Sequence, residues 1–183
     1  MNTKNFVLTG VLSLLAVFSL IFGVNTLAQK GGRDSAGGQG SIVTQDAQGK
    51  KVRRQFAFNA KRSADGTVSG HAILHNASFD GANGKKYAAS FDISCLRIYG
   101  NTAVLGGFIK RTNDPNLVDA AYFIVQDNGE PGKDSDKISS VYFFDNDPNT
   151  TGSPALCEQT PPDAFPLMTI DSGNIRVTSD ATP

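Results

Sequence analysis

The sequence predicts an all-β fold, a single antiparallel β-barrel or β-sandwich of about seven to eight strands. Short runs rich in Phe, Val and Ile recur at the spacing of hairpins and are separated by turn residues. The 183-residue chain also contains 19 glycines, which suit a turn-rich β protein. No segment has the apolar periodicity of an amphipathic helix. The pattern leaves barrel and sandwich as equal alternatives.

Residues 1–28 are predicted to be a signal peptide. Lys4 and the amino terminus supply positive charge, and Phe6 to Val24 is an apolar run without any charge. Small residues at Thr26 and Ala28 predict cleavage after Ala28. The alternative is an uncleaved membrane anchor, because an apolar run of this length nearly spans a bilayer. We expect a bacterial protein that is secreted, periplasmic or extracellular, with no stable membrane insertion after cleavage.

The mature chain is expected to begin with a linker. Residues 29–40 are rich in glycine and lack apolar periodicity, which predicts a flexible linker. The secreted β-domain is expected to span residues 41–179, with residues 180–183 as a C-terminal tail. A proline-rich, irregular arm is expected over Asp145–Phe165. Strands are predicted at Ser41–Thr44, Gln55–Ala60, Thr67–Leu74, Ala120–Gln126, Ile138–Phe144 and Asn174–Ser179.

The segment Ala88–Arg111 is predicted to be the central β-hairpin. Gly100-Asn101 joins two apolar runs and tolerates the positive φ angles of a tight turn. Both faces of this hairpin carry apolar residues, so we expect it in the middle of the structure. The predicted cross-strand pairs are Ile98 with Ala103, Leu96 with Leu105, and Cys95 with Gly106. One face is predicted to carry Leu96, Ile98, Leu105 and Ile109, and the other Ile93, Cys95, Val104 and Phe108.

Cys95 and Cys157 are the only cysteines, and export to an oxidising compartment predicts a disulfide between them. Gly106, opposite Cys95, leaves space for a chain segment that carries Cys157. The bridge would close a loop of about 60 residues and stabilise the fold by roughly 4 kcal/mol in the chain-entropy account. The alternative is a pair of buried free thiols.

The polar connection that holds Asp127, Glu130, Asp134 and Asp136 is the candidate metal site. Several oxygen ligands on a glycine-containing loop are typical of calcium binding, although the spacing differs from that of an EF-hand. The alternative is a solvated hairpin loop whose side chains bind backbone amides. The sequence thus predicts Ca²⁺ as the possible cofactor and no other.

Charge and motifs disfavour several function classes. The 17 basic residues balance the 17 acidic residues, and export also argues against a nucleic-acid partner. The sequence contains no nucleophile elbow, zinc-protease motif or phosphate-binding glycine loop, so no catalytic residue is predicted.

Three segments together resemble a family of small secreted bacterial β-domain proteins without an established activity. They are Phe56-Ala57-Phe58-Asn59-Ala60, Cys95 to Ala103 (CLRIYGNTA), and Val125 to Gly132 (VQDNGEPG) followed by Asp134 or Asp136. The likeness spans Gln55 to Val177. It implies a small exported β-domain and carries over no ligand or catalytic residue.

The expected function is a non-enzymatic binding or structural module of the cell exterior, with a protein, glycan or small molecule as its ligand. The alternative is a lipocalin-like β-barrel that carries a small apolar ligand, because the Phe-rich strands can line a cavity instead of filling it. A hydrolase is the third hypothesis.

Overall fold

The computed structural model describes residues 34–116, 120–143 and 152–179. The chain divides into two compact units, Met1–Lys30 and Gly31–Pro183, and every described residue belongs to the second. The predicted signal peptide and C-terminal tail lie outside the described residues. The described part of the chain has no helix with the length and apolarity that a membrane span requires.

The fold is all-β, with one curled antiparallel sheet of ten strands in the described residues. The prediction of seven to eight strands is therefore too low. The predicted strand Ile138–Phe144 is broken into two short strands, and another three-residue strand follows the arm. The strands are β1 Ser35–Gln45, β2 Lys51–Arg62, β3 Val68–Asp80, β4 Lys86–Tyr99, β5 Thr102–Thr112, β6 Ala120–Gln126, β7 Lys137–Ser139, β8 Tyr142–Phe143, β9 Leu167–Thr169 and β10 Ser172–Thr178.

The two outermost strands in the order of the sheet are consecutive in sequence. The order is β10-β1-β2-β3-β4-β5-β6-β7-β9, and β8 pairs with β6. Strands β1 to β7 each lie beside the next strand in sequence, the arrangement of a meander. Strand β9 stands at one end of this order, and the chain continues from it through residues 170–171 into β10 at the other end. The chain itself therefore connects the two edges of the sheet.

Strand β1 begins inside the predicted linker. Residues 29–33 lie outside the described part, but the prediction is wrong for residues 35–40, which pair with both β2 and β10. Gly38 and Gly40 lie opposite Phe58 and Phe56, and a Cβ atom on either glycine would come within 3.0 Å of the opposing ring. The same Cβ atoms would come still closer to the backbone oxygens of Asn174 and Ser172, so the glycines allow the close approach of β10 as well as of the two rings.

The central hairpin, β4 and β5, confirms all three predicted cross-strand pairs. Gly100 adopts a φ of 62° at its turn, as expected. The predicted division into faces is wrong for Ile93, because a register shift between Ile93 and Cys95 brings Ile93 to the inner face beside Leu96. Phe108 lies on the predicted face with Cys95 and Val104, where it is 52% exposed. A β-bulge rotates the chain in a way that strict alternation does not anticipate.

The described part of the predicted arm, residues 152–165, packs on the outer face of the hairpin through Cys157 and Phe165, and residues 145–151 lie outside the described part of the chain. Residues 154–158 of the arm form a short 3-10 helix, so the arm is less irregular than predicted. Cys95 and Cys157 lie at disulfide distance, with Cα atoms 6.1 Å apart, as the sequence predicted. A Cβ atom on Gly106 would lie 2.8 Å from the carbonyl oxygen of Pro154, so the glycine does provide the space for the arm. The outer cluster comprises Cys95, Val104, Ala120, Tyr122, Ile124 and Cys157.

Candidate functional site

The concave face of the curled sheet carries the main apolar core, and the two ends of this core differ. At one end lie the β4–β5 turn and the long β6–β7 connection, and its inner residues are tightly packed. Leu96, Ala103, Val125 and Ile175 there are at most 1% exposed. At the other end lie the β1–β2 and β3–β4 turns, and the inner face there surrounds an open space.

This open space is a cavity of about 250 Å³. Its wall is mainly apolar, and six of its side chains are phenylalanines, two from β2 and one each from β3, β4, β6 and β8. The principal apolar side chains are Ile42, Phe56, Phe58, Ala72, Leu74, Phe79, Phe91, Phe123, Ile138, Val141 and Phe143. The polar side chains include Arg54, Asn76, Ser139 and Ser140.

Aromatic contacts set the shape of the cavity. The rings of Phe58 and Phe123 meet edge to face with centroids 5.4 Å apart. Phe79 is 37% exposed, which places it at the mouth, and its ring stacks on Tyr87 at 4.7 Å. Tyr87 in turn meets Phe143 edge to face at 5.8 Å. Burial raises the pKa of the Tyr87 hydroxyl above its ordinary value.

Arg54 is the charged residue in the cavity wall. It belongs to the inward-facing series of β2 that continues with Phe56 and Phe58. Its guanidinium donates hydrogen bonds to the hydroxyl oxygens of Ser140 at 3.1 Å and Ser78 at 3.2 Å. Its Nε is buried and has no hydrogen-bond partner in the described part of the chain, and burial lowers the pKa of the guanidinium. No ion pair within the described residues includes Arg54.

The predicted metal-binding loop connects β6 to β7 and is tied to β10. Asp136 is fully buried, and its carboxylate accepts hydrogen bonds from the backbone amides of Asn128 at 2.8 Å and Ile175 at 2.7 Å. Asp127 accepts one from the amide of Val177 at 3.0 Å. These two carboxylates therefore fasten the loop to the last strand.

The other two predicted ligands point to other partners. Glu130 accepts a hydrogen bond from the side chain of Asn174 at 2.8 Å, and Asp134 pairs with Lys133 at 2.7 Å. Among residues 34–116, 120–143 and 152–179, no group of three or more His, Cys, Asp or Glu side chains could hold a metal ion. Calcium binding stays a prediction. We call Asp127, Glu130, Asp136 and Asn174 together the clasp.

The sequence reasoning missed Arg54, although a signal for it exists. The alternation that places Phe56 and Phe58 on one face of a strand also places Arg54 on that face when it is extended by two residues. The predicted strand began only at Gln55, so this extension was not made. Comparisons of the chain with protein-family models, with curated proteins and with solved structures find no match. The family resemblance in the sequence therefore stays an interpretation.

Proposed function

We propose that this protein is an exported, non-enzymatic binding module, and that its curled sheet closes into a β-barrel that holds a small apolar ligand. The observation that carries the proposal is the cavity of about 250 Å³ among phenylalanine rings. It favours the carrier hypothesis over a purely structural module, because a structural core gains stability from being filled.

Closure of the barrel is supported by the bonds between β10 and the β6–β7 connection. The carboxylates of Asp127 and Asp136 accept hydrogen bonds from Val177 and Ile175 of β10. Strand β10 also pairs along its length with β1. It thus has a partner on each side, through a backbone ladder on one and through side chains on the other. Closing a sheet in this way removes its exposed edges.

The size of the cavity limits the ligand. At ~30 Å³ for each water molecule in the liquid, the space would hold roughly eight water-sized groups. It lies just below the range of about 300–1,000 Å³ that is common for ligand sites. We infer that the enclosed part of the ligand is small, such as a short aliphatic chain or one aromatic ring of a larger molecule. Phe79 at the mouth would cover whatever part extends outward.

Export of the carrier is supported by two features of the chain. Residues 1–28 have the composition of a signal peptide, and Cys95 and Cys157 lie at disulfide distance. Disulfides persist in the periplasm and outside the cell. A carrier in these compartments protects an apolar molecule from water during transfer.

The test is binding of phenylnaphthylamine, a neutral apolar fluorophore. We expect saturable binding, with rising fluorescence as the dye leaves water. Leu74→Trp fills the cavity with a larger ring and should weaken binding at least tenfold, a loss of about 1.4 kcal/mol. His75→Trp is the matched control, because His75 is the exposed neighbour on the opposite face of β3.

Thermal unfolding of both variants shows whether they keep the fold. Absence of saturable binding in the unmodified protein would refute the proposed function. Equal loss of binding in the two tryptophan variants would place the dye outside the cavity and would also refute it.

A further inference from the structure

The cavity contains a cation, Arg54, that has no counterion among residues 34–116, 120–143 and 152–179. Arg54 lies on the inner face of β2, and its guanidinium lines the same space as the phenylalanine rings. Two serine hydroxyls accept its hydrogen bonds, and no carboxylate of the described residues forms an ion pair with it. A neutral hydroxyl satisfies a hydrogen bond but does not balance the charge.

A partly buried guanidinium without a counterion is unfavourable in free energy unless another group pairs with its charge. Transfer of a charged group from water to an apolar surrounding is unfavourable unless the charge is paired. The buried Nε of Arg54 also has no hydrogen-bond partner among the described residues. Guanidinium donors match the two oxygens of a carboxylate in a bidentate geometry. An anion that enters with the ligand would supply the counterion and an acceptor for Nε.

The register of β2 fixes how such a ligand would lie. Arg54 pairs with Ile42 and Asn76, near the β1–β2 and β3–β4 turns. Phe58 is four residues further from those turns and lies deeper, against Phe123. The cavity thus has a charged end near its mouth and an aromatic end inside.

We propose that the ligand is a small amphiphilic carboxylate, with its apolar chain among the phenylalanine rings and its carboxylate on the guanidinium of Arg54. This inference rests on the proposed function and names the chemical class of its ligand. Ser78 and Ser140 hold the guanidinium in place for the carboxylate and leave Nε free to donate.

The experiment compares octanoate, octanol and octylamine, which share one chain and differ in their head group. Calorimetric titration of the purified protein should rank octanoate first, octanol second and octylamine last. A hydrogen bond to a charged group contributes on a scale that makes octanoate roughly tenfold to a hundredfold tighter than octanol. This ranking needs no variant, so it does not depend on how a substitution folds.

Arg54→Met keeps the unbranched apolar stem of the side chain and removes its charge, and it should make octanoate no tighter than octanol. Arg53→Met is the matched control, since Arg53 is the exposed neighbour on the outer face and bonds Ser41 instead. That variant should keep the preference for octanoate.

The outcomes separate the two proposals. If octanol and octanoate bind equally well to the unmodified protein, the carboxylate inference is wrong and the carrier function stands. If Arg54→Met keeps the preference for octanoate, the anion lies elsewhere and the inference is also wrong. If neither the three ligands nor phenylnaphthylamine binds, both proposals fail together.

Discussion

The two ends of the curled sheet use opposite ways of completing a β fold. At the clasp end, the buried carboxylate of Asp136 and the half-buried carboxylate of Asp127 bind backbone amides of β10, and the inner side chains are almost fully enclosed. At the cavity end, six phenylalanine rings surround about 250 Å³ of space, and Arg54 has no acidic partner among the described residues. The protein fills the clasp end with its own side chains, whereas the cavity end keeps an unfilled space.

This difference separates stability from binding. An unfilled apolar space lowers stability because the atoms around it lose contacts. A protein that needs such a space gains its stability elsewhere, and here the clasp lies at the far end of the sheet. We therefore expect substitutions at the clasp to change the free energy of unfolding and leave ligand affinity nearly unchanged, and substitutions in the cavity to do the reverse.

The largest effect is expected for Asp136→Asn. The amide turns an NH₂ group toward one of the two backbone amides that the carboxylate now binds, so a buried donor loses its acceptor. We expect a loss of about 3 kcal/mol in the free energy of unfolding, and a melting temperature lower by roughly 6–12 °C. Denaturant and thermal unfolding measure both, and affinity for phenylnaphthylamine should change by less than about twofold.

Asp134→Asn is the control for this variant. Asp134 lies in the same loop but is exposed, and its pairing with Lys133 is a surface ion pair. Such pairs contribute little, so we expect a change of less than about 0.5 kcal/mol. Equal losses in the two variants would mean that the clasp has no special role in stability.

A second test makes the same substitution at both ends. Ala72 and Ala103 are both buried on the inner face, but Ala72 lines the cavity and Ala103 packs between Ile98 and Val125. Ala103→Val should cost about 1–3 kcal/mol, because the extra methyl groups have no room. Ala72→Val enters open space and should leave stability unchanged or raise it by roughly 0.5 kcal/mol.

The same two variants also test where the ligand binds. Ala72→Val should weaken phenylnaphthylamine binding by narrowing the cavity, whereas Ala103→Val should not. If both variants lost equal stability, the space beside Ala72 would be filled in solution, and the contrast between the ends would disappear.

How well the sequence predicted each part depends on the range of the interactions involved. The hairpin around Gly100 was predicted residue by residue, because a turn and the alternation of its flanking strands are local properties. The bulge that moved Ile93 to the inner face is not visible in that alternation. The β1 strand was missed because Gly38 and Gly40 look like a linker until Phe56 and Phe58 are placed opposite them.

The sequence predicts the type of candidate site as an alternative, a cavity lined by phenylalanines, but it does not predict which residues form it. The Phe-rich strands predict a cavity as one alternative, but the only site residues that the sequence predicts lie in the acidic loop. The role of Asp136 depends on Ile175, 39 residues away, and its burial follows from the return of β10 to that loop. Arg54 needed only a longer strand to join the inner face, so its position was the more predictable of the two.

The smallest expected effect is a pH dependence at the cavity end. Tyr87 is fully buried between Phe79 and Phe143, and burial raises the pKa of its hydroxyl above the ordinary value of 10.0. In the unfolded chain the hydroxyl ionises near that ordinary value, whereas in the folded protein it stays neutral to higher pH. Its contribution to stability is therefore fully present below about pH 10 and is lost as pH rises through the raised pKa.

Tyr87→Phe removes this ionisation and keeps the ring. Denaturant unfolding from about pH 8 to pH 11 should give two curves that run parallel up to about pH 10. Above that pH, the unmodified protein should lose stability faster than the variant. The reason is that ionisation of Tyr87 stabilises the unfolded state, whereas the hydroxyl in the folded state stays neutral. Curves that stay parallel throughout would show that Tyr87 is hydrated in the folded protein. The cavity end would then admit water as far as this ring, and its apolar ligand site would have to lie deeper, toward Phe58 and Phe123.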